Sequence, residues 1–453
     1  MASAAFPLGS WCLRTASTLA LVAGFLVVHT TAGRADGYSD AARPTCRGKA
    51  ATIVGTPRDD DIVGTHKADV IVGGGGKDDI YGGGGSDTIC GGAGPTRIED
   101  GDEVFQTLSG GPGNDVIVGG PSPEWLVDSD GSDLLIGRGG NDFLAEEDRG
   151  GARDDDVLRG GTGADLLVGS RGADKLDGGA GEDRFQDALG DNVLRGGAGD
   201  DRFDSGQGND TLVGGLGVDT GFYVVVLRSD GGSGGHCNDV TADLSTGLAS
   251  GAGFGTDTLD GVENLASGGG DDVLIGDGYG NTFYVGMPCA GAPVQRDSAT
   301  GGDGSDRIDF NSNTWDYGGS FGAVLVDLSA GTAEQRSPYV DTDAAVALDS
   351  IENATGTEFE DTILGSDDPN RLSAGPRYGN GGDVIRGRAG DDVLSGSDSR
   401  DEIYGDEGAD HIRGYRGNDR LDGGADANII NGGRGKDTCA SPDRFNGAVN
   451  CEA

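Results

Sequence analysis

GGGGKDDIY at residues 73–81 runs directly into GGGGSDTIC at 82–90, and the phrase returns as GGPGNDVIV at 110–118, GGTGADLLV at 160–168 and GGDGSDRID at 301–309. The common pattern is G-G-x-G-x-D-x-U-x, with U a bulky apolar residue. One apolar side chain in nine matches neither the helical period nor the alternation of an amphipathic strand. It suits a strand of about three residues whose central side chain points inward, closed by a turn of about six. Two such units make one coil of 18 residues, and successive coils stack as parallel strands. The expected fold class is all-β: a parallel β-roll (β-helix) solenoid of these repeats with loop and strand inserts.

Reading outward from that stretch gives three runs in register. The first starts at Gly55 and ends at Cys90, with Asp60, Asp69, Asp78 and Asp87 at the sixth position. The second starts at Gly151 and holds phase through Gly214, carrying Asp156, Asp165, Asp174, Asp183, Asn192, Asp201, Asp210 and Asp219. The third spans Tyr378 to Ala440, with Asp383, Asp392, Asp401, Asp410, Asp419, Asn428 and Asp437. Isolated units surround Asp115, Asp133, Asp142, Asp272, Asp306 and Asp361. The eighth position supplies a core series that opens Ile62, Ile71, Ile80, Ile89 and resumes as Leu158, Leu167, Leu176, Phe185, Leu194, Phe203, Leu212. The expected organisation is a leader at 1–35, a cap at 36–54, a first block at 55–90, degenerate repeats at 91–150 and a second block at 151–221. Inserted strands with two duplicated half-modules follow at 222–377, then a third block at 378–440 and a C-terminal cap at 441–453.

Composition says what such a chain needs. Of 453 residues, 91 are Gly, and the net charge is −44, from 33 basic against 77 acidic residues. That balance repels nucleic acid and anionic membrane surfaces and gathers cations. A highly acidic chain can simply be disordered, but here the aspartates recur at one phase of a repeat, which points to ligation. One buried Ile or Leu per unit falls short of the backbone entropy of nine ordered residues, several of them glycine. Stacked rows of aspartate add repulsion. A hard divalent cation removes that repulsion and ties adjacent turns together through oxygen ligands. Carboxylates and main-chain carbonyls, without His or Cys at repeat positions, suit several Ca²⁺ ions better than the tighter octahedron of Mg²⁺. The candidate ligands are the sixth-position aspartates of the three runs together with Asp115, Asp142, Asp272, Asp306 and Asp361. Ligands for one ion are expected from turns 18 residues apart, as in Asp60/Asp78, Asp69/Asp87, Asp165/Asp183, Asp183/Asp201, Asp392/Asp410 and Asp401/Asp419. Asn192 and Asn428 keep an oxygen and lose the charge, so their sites should be weaker. Without metal the blocks are expected to be disordered.

The N-terminus reads as a secretory signal. Arg14 precedes the apolar run Leu19–Val28, and small residues lead to cleavage after Ala32 or Ala35. The run is too short to span a bilayer, and no comparable run follows, so no transmembrane segment is expected after cleavage. Cys12 lies in the leader, leaving Cys46, Cys90, Cys237, Cys289, Cys439 and Cys451. Their connectivity is open from sequence alone. Nearest-neighbour pairing would staple both ends of the solenoid, where capping is needed. A zinc site is disfavoured, because no C-x-x-C spacing occurs and the histidines are scattered.

With these motifs in place, the chain resembles the RTX (repeats-in-toxin, haemolysin-type) calcium-binding proteins. Two further phrases carry the likeness: Ala242–Ala249 leading to Leu259–Leu265, and Val326–Ala333 leading to Leu348–Ala354. Both look like the linker that introduces repeat blocks in that family, and the second follows the first at an offset of 89 residues from Glu263 to Glu352. The chain departs from the toxins and enzymes of the family, which carry a large catalytic or pore-forming region ahead of the repeats. Its opening Pro44–Thr56 and its Cys439–Cys451 tail look like secreted repeat-only actinobacterial proteins. The resemblance implies calcium binding and no imported activity.

Catalytic patterns are weak. None of His29, His66, His236 and His411 has H-E-x-x-H spacing. The G-x-S-x-G matches at Ser233 and Ser320 lack the following helix that a nucleophile elbow needs. Val224–Leu227 and Ala323–Leu328 read as ordinary strands flanking the edges of the roll. Trp125 and Trp315 read as lying outside the repeats, where local packing outweighs stacking on a glycan. The expectation is a non-enzymatic, secreted calcium-binding protein serving as an extracellular structural or adhesive element, with a cell-surface or glycan partner unidentified. The alternatives are a hydrolase with a site in 222–355 and an extracellular calcium buffer.

Overall fold

The computed structural model describes residues 43–84, 87–99, 107–146, 153–187, 189–223, 239–286, 295–311, 322–335, 344–376, 378, 381–440 and 449–451, together with a short antiparallel pair, Ala20–Val22 with Phe25–Val27. Among these residues every regular element is a β-strand. The rest of the expected signal peptide, including both expected cleavage points, Val224–Leu227, Ser233, Ser320, Trp315 and the Cys237 and Cys289 pair lie outside the described residues.

Each nonapeptide contributes one short strand, and alternate units feed two parallel sheets. Sheet I holds Val157–Thr162, Lys175–Ala180, Val193–Ala198 and Thr211–Leu216; sheet II holds Leu166–Val168, Arg184–Gln186 and Arg202–Asp204. The register advances by one coil of 18 residues, pairing Leu158 with Leu176, Leu176 with Leu194 and Leu167 with Phe185. The molecule is a β-solenoid.

The eighth-position side chains meet between the sheets in two columns. Ile80, Ile98, Ile117, Leu135, Leu158 and Leu176 line sheet I, and Ile89, Leu108, Leu126, Leu144 and Leu167 line sheet II, all buried in one continuous core. Phe185 and Phe203, one coil apart, stack with ring centroids 4.9 Å apart. At the next coil the inward position is Gly221, flanked by Tyr223, Val262 and Leu265, and the Tyr223 ring meets that of Phe254 edge-on at 5.9 Å.

Ala323–Leu328, expected to flank the edge of the roll, instead lies inside sheet I, in the second of the two linker phrases. Each forms a three-stranded antiparallel meander inside sheet I: Val240–Asp243, Leu248–Gly251 and Gly255–Asp260 in the first, Val324–Asp327, Thr332–Gln335 and Ala344–Asp349 in the second. The last strand pairs back to the preceding coil (Thr211 with Thr258) and the first strand pairs forward (Thr241 with Val273). Sheet II passes the same point with a single strand, Asn264–Ser267, between Thr220–Tyr223 and Thr282–Tyr284. Sheet I therefore gains two strands at each meander that sheet II does not match. The hairpin turns have a local cause: the hydroxyl of Ser245 and the N–H of Thr246 donate to Asp243 Oδ1, and Gly247 takes φ +67° to close the bend.

Disulfides Cys46–Cys90 and Cys439–Cys451 hold the ends of the roll. Trp125 is correctly placed inside a repeat rather than outside one: it occupies the strand Trp125–Asp128, half exposed, with its ring 5.4 Å from Phe143. No helix among the described residues is long and apolar enough to cross a membrane.

Candidate metal centres

The turns at the two edges of the roll place the sixth-position aspartates in two columns. On the edge leading from sheet I to sheet II stand Asp142, Asp165, Asp183, Asp201 and Asp219; on the return edge stand Asp115, Asp133, Asp156 and Asp174. The main-chain N–H of each aspartate donates to Oδ1 of the aspartate one coil further on. Asp165 bonds Asp183 at 2.8 Å, Asp183 bonds Asp201 at 2.8 Å, and Asp201 bonds Asp219 at 2.8 Å. The third block repeats the ladder, with Asp383 to Asp401, Asp392 to Asp410, Asp401 to Asp419 and Asp419 to Asp437 each at 3.0 Å. Asn192 and Asn428 take the same place through their side-chain oxygens. All six pairs expected 18 residues apart are joined by this bond.

One oxygen of each carboxylate is thus committed, and the other decides the chemistry. Oδ2 of Asp78, Asp115, Asp142, Asp165, Asp183, Asp201, Asp210, Asp219, Asp272, Asp306, Asp392, Asp410, Asp419 and Asp437 is buried without a hydrogen-bond partner. A buried acceptor left in that state costs about 1–3 kcal/mol, and more when charged. The repeat's first glycine explains how the oxygen comes to lie there. A Cβ on Gly160 would stand 2.2 Å from Asp165 Oδ2 and 2.8 Å from the carbonyl oxygen of Gly178; one on Gly387 would stand 2.2 Å from Asp392 Oδ2 and 2.8 Å from the Gly405 carbonyl. Each cradle therefore gathers carboxylate and carbonyl oxygens from adjacent coils around a space that only glycine leaves open. The residues fit a hard, oxygen-seeking cation of the Ca²⁺ type.

The charge pattern agrees. Burial, and then the repulsion of neighbouring carboxylates, push Asp165, Asp183 and Asp201 up to about 7 and Asp156 and Asp383 up to about 8. Protein groups alone hold these sites poorly as anions; a bound cation reverses that preference.

Five candidates are set apart from the rest. Asp60, Asp69, Asp174, Asp361 and Asp401 have Oδ2 satisfied by the second residue of the turn, from the main-chain N–H of Thr56 (2.5 Å), Thr65 (2.7 Å), Ser170 (3.2 Å), Thr357 (2.6 Å) and Ser397 (2.7 Å). The hydroxyls of Thr56, Thr65 and Thr357 add a further bond. A Thr or Ser after the first glycine closes the turn onto its own carboxylate, the side-chain-to-backbone bonding that favours these residues in turns.

Several ladder members escape the nonapeptide pattern. Glu263 Oε2 accepts from Asp219 N–H at 2.7 Å, Glu352 Oε2 from Asp306 N–H at 2.8 Å, Asp257 Oδ1 from Asp210 N–H and Asp297 Oδ1 from Asp272 N–H, each at 2.9 Å. Glu124 and Asn281 extend the same columns through their main-chain N–H groups. The signal that finds them is an acid or amide two residues before an inward apolar side chain, as in Glu263 before Leu265, where the leading glycines are missing, or Glu124 before Leu126, where they are kept and Glu replaces Asp.

The sequence profile of the RTX calcium-binding nonapeptide repeat (4 copies) matches residues 54–95, 100–122, 118–145, 150–185, 188–220, 378–412 and 404–439. Those matches take in the three runs and the degenerate coils between the first two, and they omit both meanders. No curated protein matches the chain.

Proposed function

We propose that this chain, a member of the RTX calcium-binding nonapeptide-repeat family, is exported unfolded, orders its coils on meeting extracellular Ca²⁺, and serves as a non-catalytic structural or adhesive element outside the cell. The observation that carries this reading is the double column of buried, partnerless aspartate oxygens facing glycine carbonyls of the adjacent coil. Residues holding the ions would be the sixth-position aspartates of the open turns, with carbonyl oxygens completing each shell. Cytosolic calcium is too scarce to fill such sites of ordinary affinity, and extracellular calcium is abundant. Export is supported by Arg14 ahead of the apolar run Leu19–Val28 and by the bridges Cys46–Cys90 and Cys439–Cys451, which belong to oxidising compartments. The solenoid's two long faces and its charge suit a rod that displays a surface.

The experiment is far-UV circular dichroism of the mature chain titrated with Ca²⁺ and, separately, Mg²⁺. A coil-to-β transition with Ca²⁺ at concentrations where Mg²⁺ is inert is the expected result. A chain already fully β in excess chelator would remove calcium-driven folding and leave the disulfides and meanders to explain the fold.

A further inference from the structure

The two edges of the roll differ at the first position of the turn. From sheet I to sheet II that position is always glycine through the middle of the molecule: Gly119, Gly137, Gly160, Gly178 and Gly196. On the return edge, Gly110 is followed one coil on by Asp128 and two coils on by Glu146. These acids have no place in the repeat pattern, and both are buried, Asp128 at 1% exposure and Glu146 at 6%.

Their side chains enter the cradles. A Cβ on Gly110 would stand 2.2 Å from Asp115 Oδ2 and 2.4 Å from Asp128 Oδ2, so Asp128 reaches across to the aspartate of the preceding coil. Oδ1 of Asp128 is held by the N–H groups of Gly111 (2.7 Å) and Ser129 (2.9 Å), which fixes the carboxylate and aims Oδ2 inward, where it has no partner. Neither carboxylate oxygen of Glu146 has one. Two groups of three carboxylates result, Asp115 with Asp128 and Asp133, and Asp133 with Glu146 and Asp156, and within each group one oxygen from every residue lies within 4.8 Å of the others.

We propose that these two triads are a pair of adjacent cation sites sharing Asp133, repeat cradles reinforced by the extra acids Asp128 and Glu146, which take hard divalent or trivalent cations of Ca²⁺ size and fill before the rest of the roll. The repeat supplies one open carboxylate oxygen per turn; here each site has three carboxylates, and affinity for such cations rises with ligand charge and site rigidity. Five buried carboxylates around two ions leave little charge uncompensated, whereas without ions their repulsion would be the largest local obstacle to stacking these coils. The proposal does not rest on calcium-driven folding of the whole chain, because it concerns the affinity that the acids at 128 and 146 add to the sixth-position aspartates beside them.

The test is a cation titration of the full mature chain, with Ca²⁺ followed by calorimetry and Tb³⁺ by its luminescence. The unaltered chain is expected to show a class of two ions at least tenfold tighter than the remainder. The isosteric pair Asp128→Asn with Glu146→Gln should lose that class and keep the rest, and Asp128→Gly with Glu146→Gly, which restores the residue found on the opposite edge, should do the same even if the amide pair disturbs folding. Asp183→Asn on the opposite edge should leave the tight class intact. A chain that folds with Ca²⁺ but has a single affinity class, or whose variants titrate like the parent, overturns this proposal alone. A chain that is folded in chelator yet still shows the two-ion class upholds it and overturns calcium-driven folding.

Discussion

The third block and the meanders are built from the same sheets by opposite means. Between residues 384 and 431 each coil brings two side chains inward, Ile385 with Leu394, Ile403 with Ile412, Leu421 with Ile430, and nearly everything else is turn. The first meander and the strand that follows it bury Val240, Ala242, Ala249, Phe254, Leu259, Val262 and Leu265 within a span little more than half as long. Its strands are joined by hairpins, with Val240 paired to Gly251 and Leu248 to Thr258, so its contacts are local as well as apolar. Under the proposed reading the coils are held by oxygen and cation, the meanders by carbon. One solenoid would then contain segments that need an ion beside segments that do not, both presenting the same parallel edge to their neighbours.

The sharpest way to break this contrast is amide hydrogen exchange in Ca²⁺ and in excess chelator. Amides of residues 384–440 should lose all protection without calcium, while those of 240–260 and 324–349 keep a measurable share. Equal loss in both regions would mean the meanders depend on the coils for their order. Phe254→Ala extends the measurement: it removes the ring packed on Tyr223 in a buried site, should cost about 3–5 kcal/mol, and should erase the protection left in chelator at 240–260.

Acidity separates the two regions less strongly. Burial pushes Asp392 and Asp419 up to about 7, against an ordinary value of 3.8 in the unfolded chain. With no cation present, the folded coil then binds more protons than the unfolded chain between those values. Its stability is therefore greatest below about pH 4 and falls as pH rises toward 7. In chelator, the β signal should grow on acidification from pH 7 to 4, and the Ca²⁺ needed at the midpoint should rise as protons compete for the same oxygens. In the meanders, Asp243 and Asp327 are held below the usual carboxylate range by hydrogen bonds, so their sign is reversed, while burial pushes Asp257 up to about 6 and leaves the meanders mixed. A chelated chain that loses structure uniformly on acidification would contradict the assignment of the coils as the acid-favoured part.

The smallest effect is expected at the seam between the two regions. Arg388 of the third block forms a two-pronged ion pair with Asp327 of the second meander, at 2.8 and 2.9 Å, while its backbone sits at φ 78°, a left-handed position that the repeat normally gives to glycine. Arg388→Gly exchanges a partly exposed ion pair of up to about 1 kcal/mol for relief of backbone strain of similar size. Chemical denaturation in saturating Ca²⁺ should register a change within about 1 kcal/mol. A larger loss would show that the seam is a stronger joint than its geometry suggests.

Much of this was legible in the chain because a nine-residue phrase is local. Its phase alone predicts the inward columns of the three runs, the 18-residue register and the row of sixth-position carboxylates, while the cysteine pairing stayed open until the structure joined Cys46 to Cys90 and Cys439 to Cys451. Other features could not be read that way. Glu263 and Glu352 join the ladder without the leading glycines. Where the phrase offers only Gly221, the core is completed by Tyr223 together with Val262 and Leu265, which lie roughly 40 residues away in sequence.

By itself, the sequence determined the coil and the oxygens that line it, since each repeat needs only its own nine residues to set which side chain points in and which faces the turn. Only the tertiary structure decided what those oxygens meet. Whether the second oxygen of an aspartate is closed off by a threonine four residues earlier, as at Asp60, left open toward a glycine carbonyl of the next coil, as at Asp165, or joined by an acid from a neighbouring turn, as at Asp115, depends on how coils stack. Stacking brings together atoms 18 or more residues apart, and there burial and charge, rather than the local pattern, choose between a hydrogen bond and a cation.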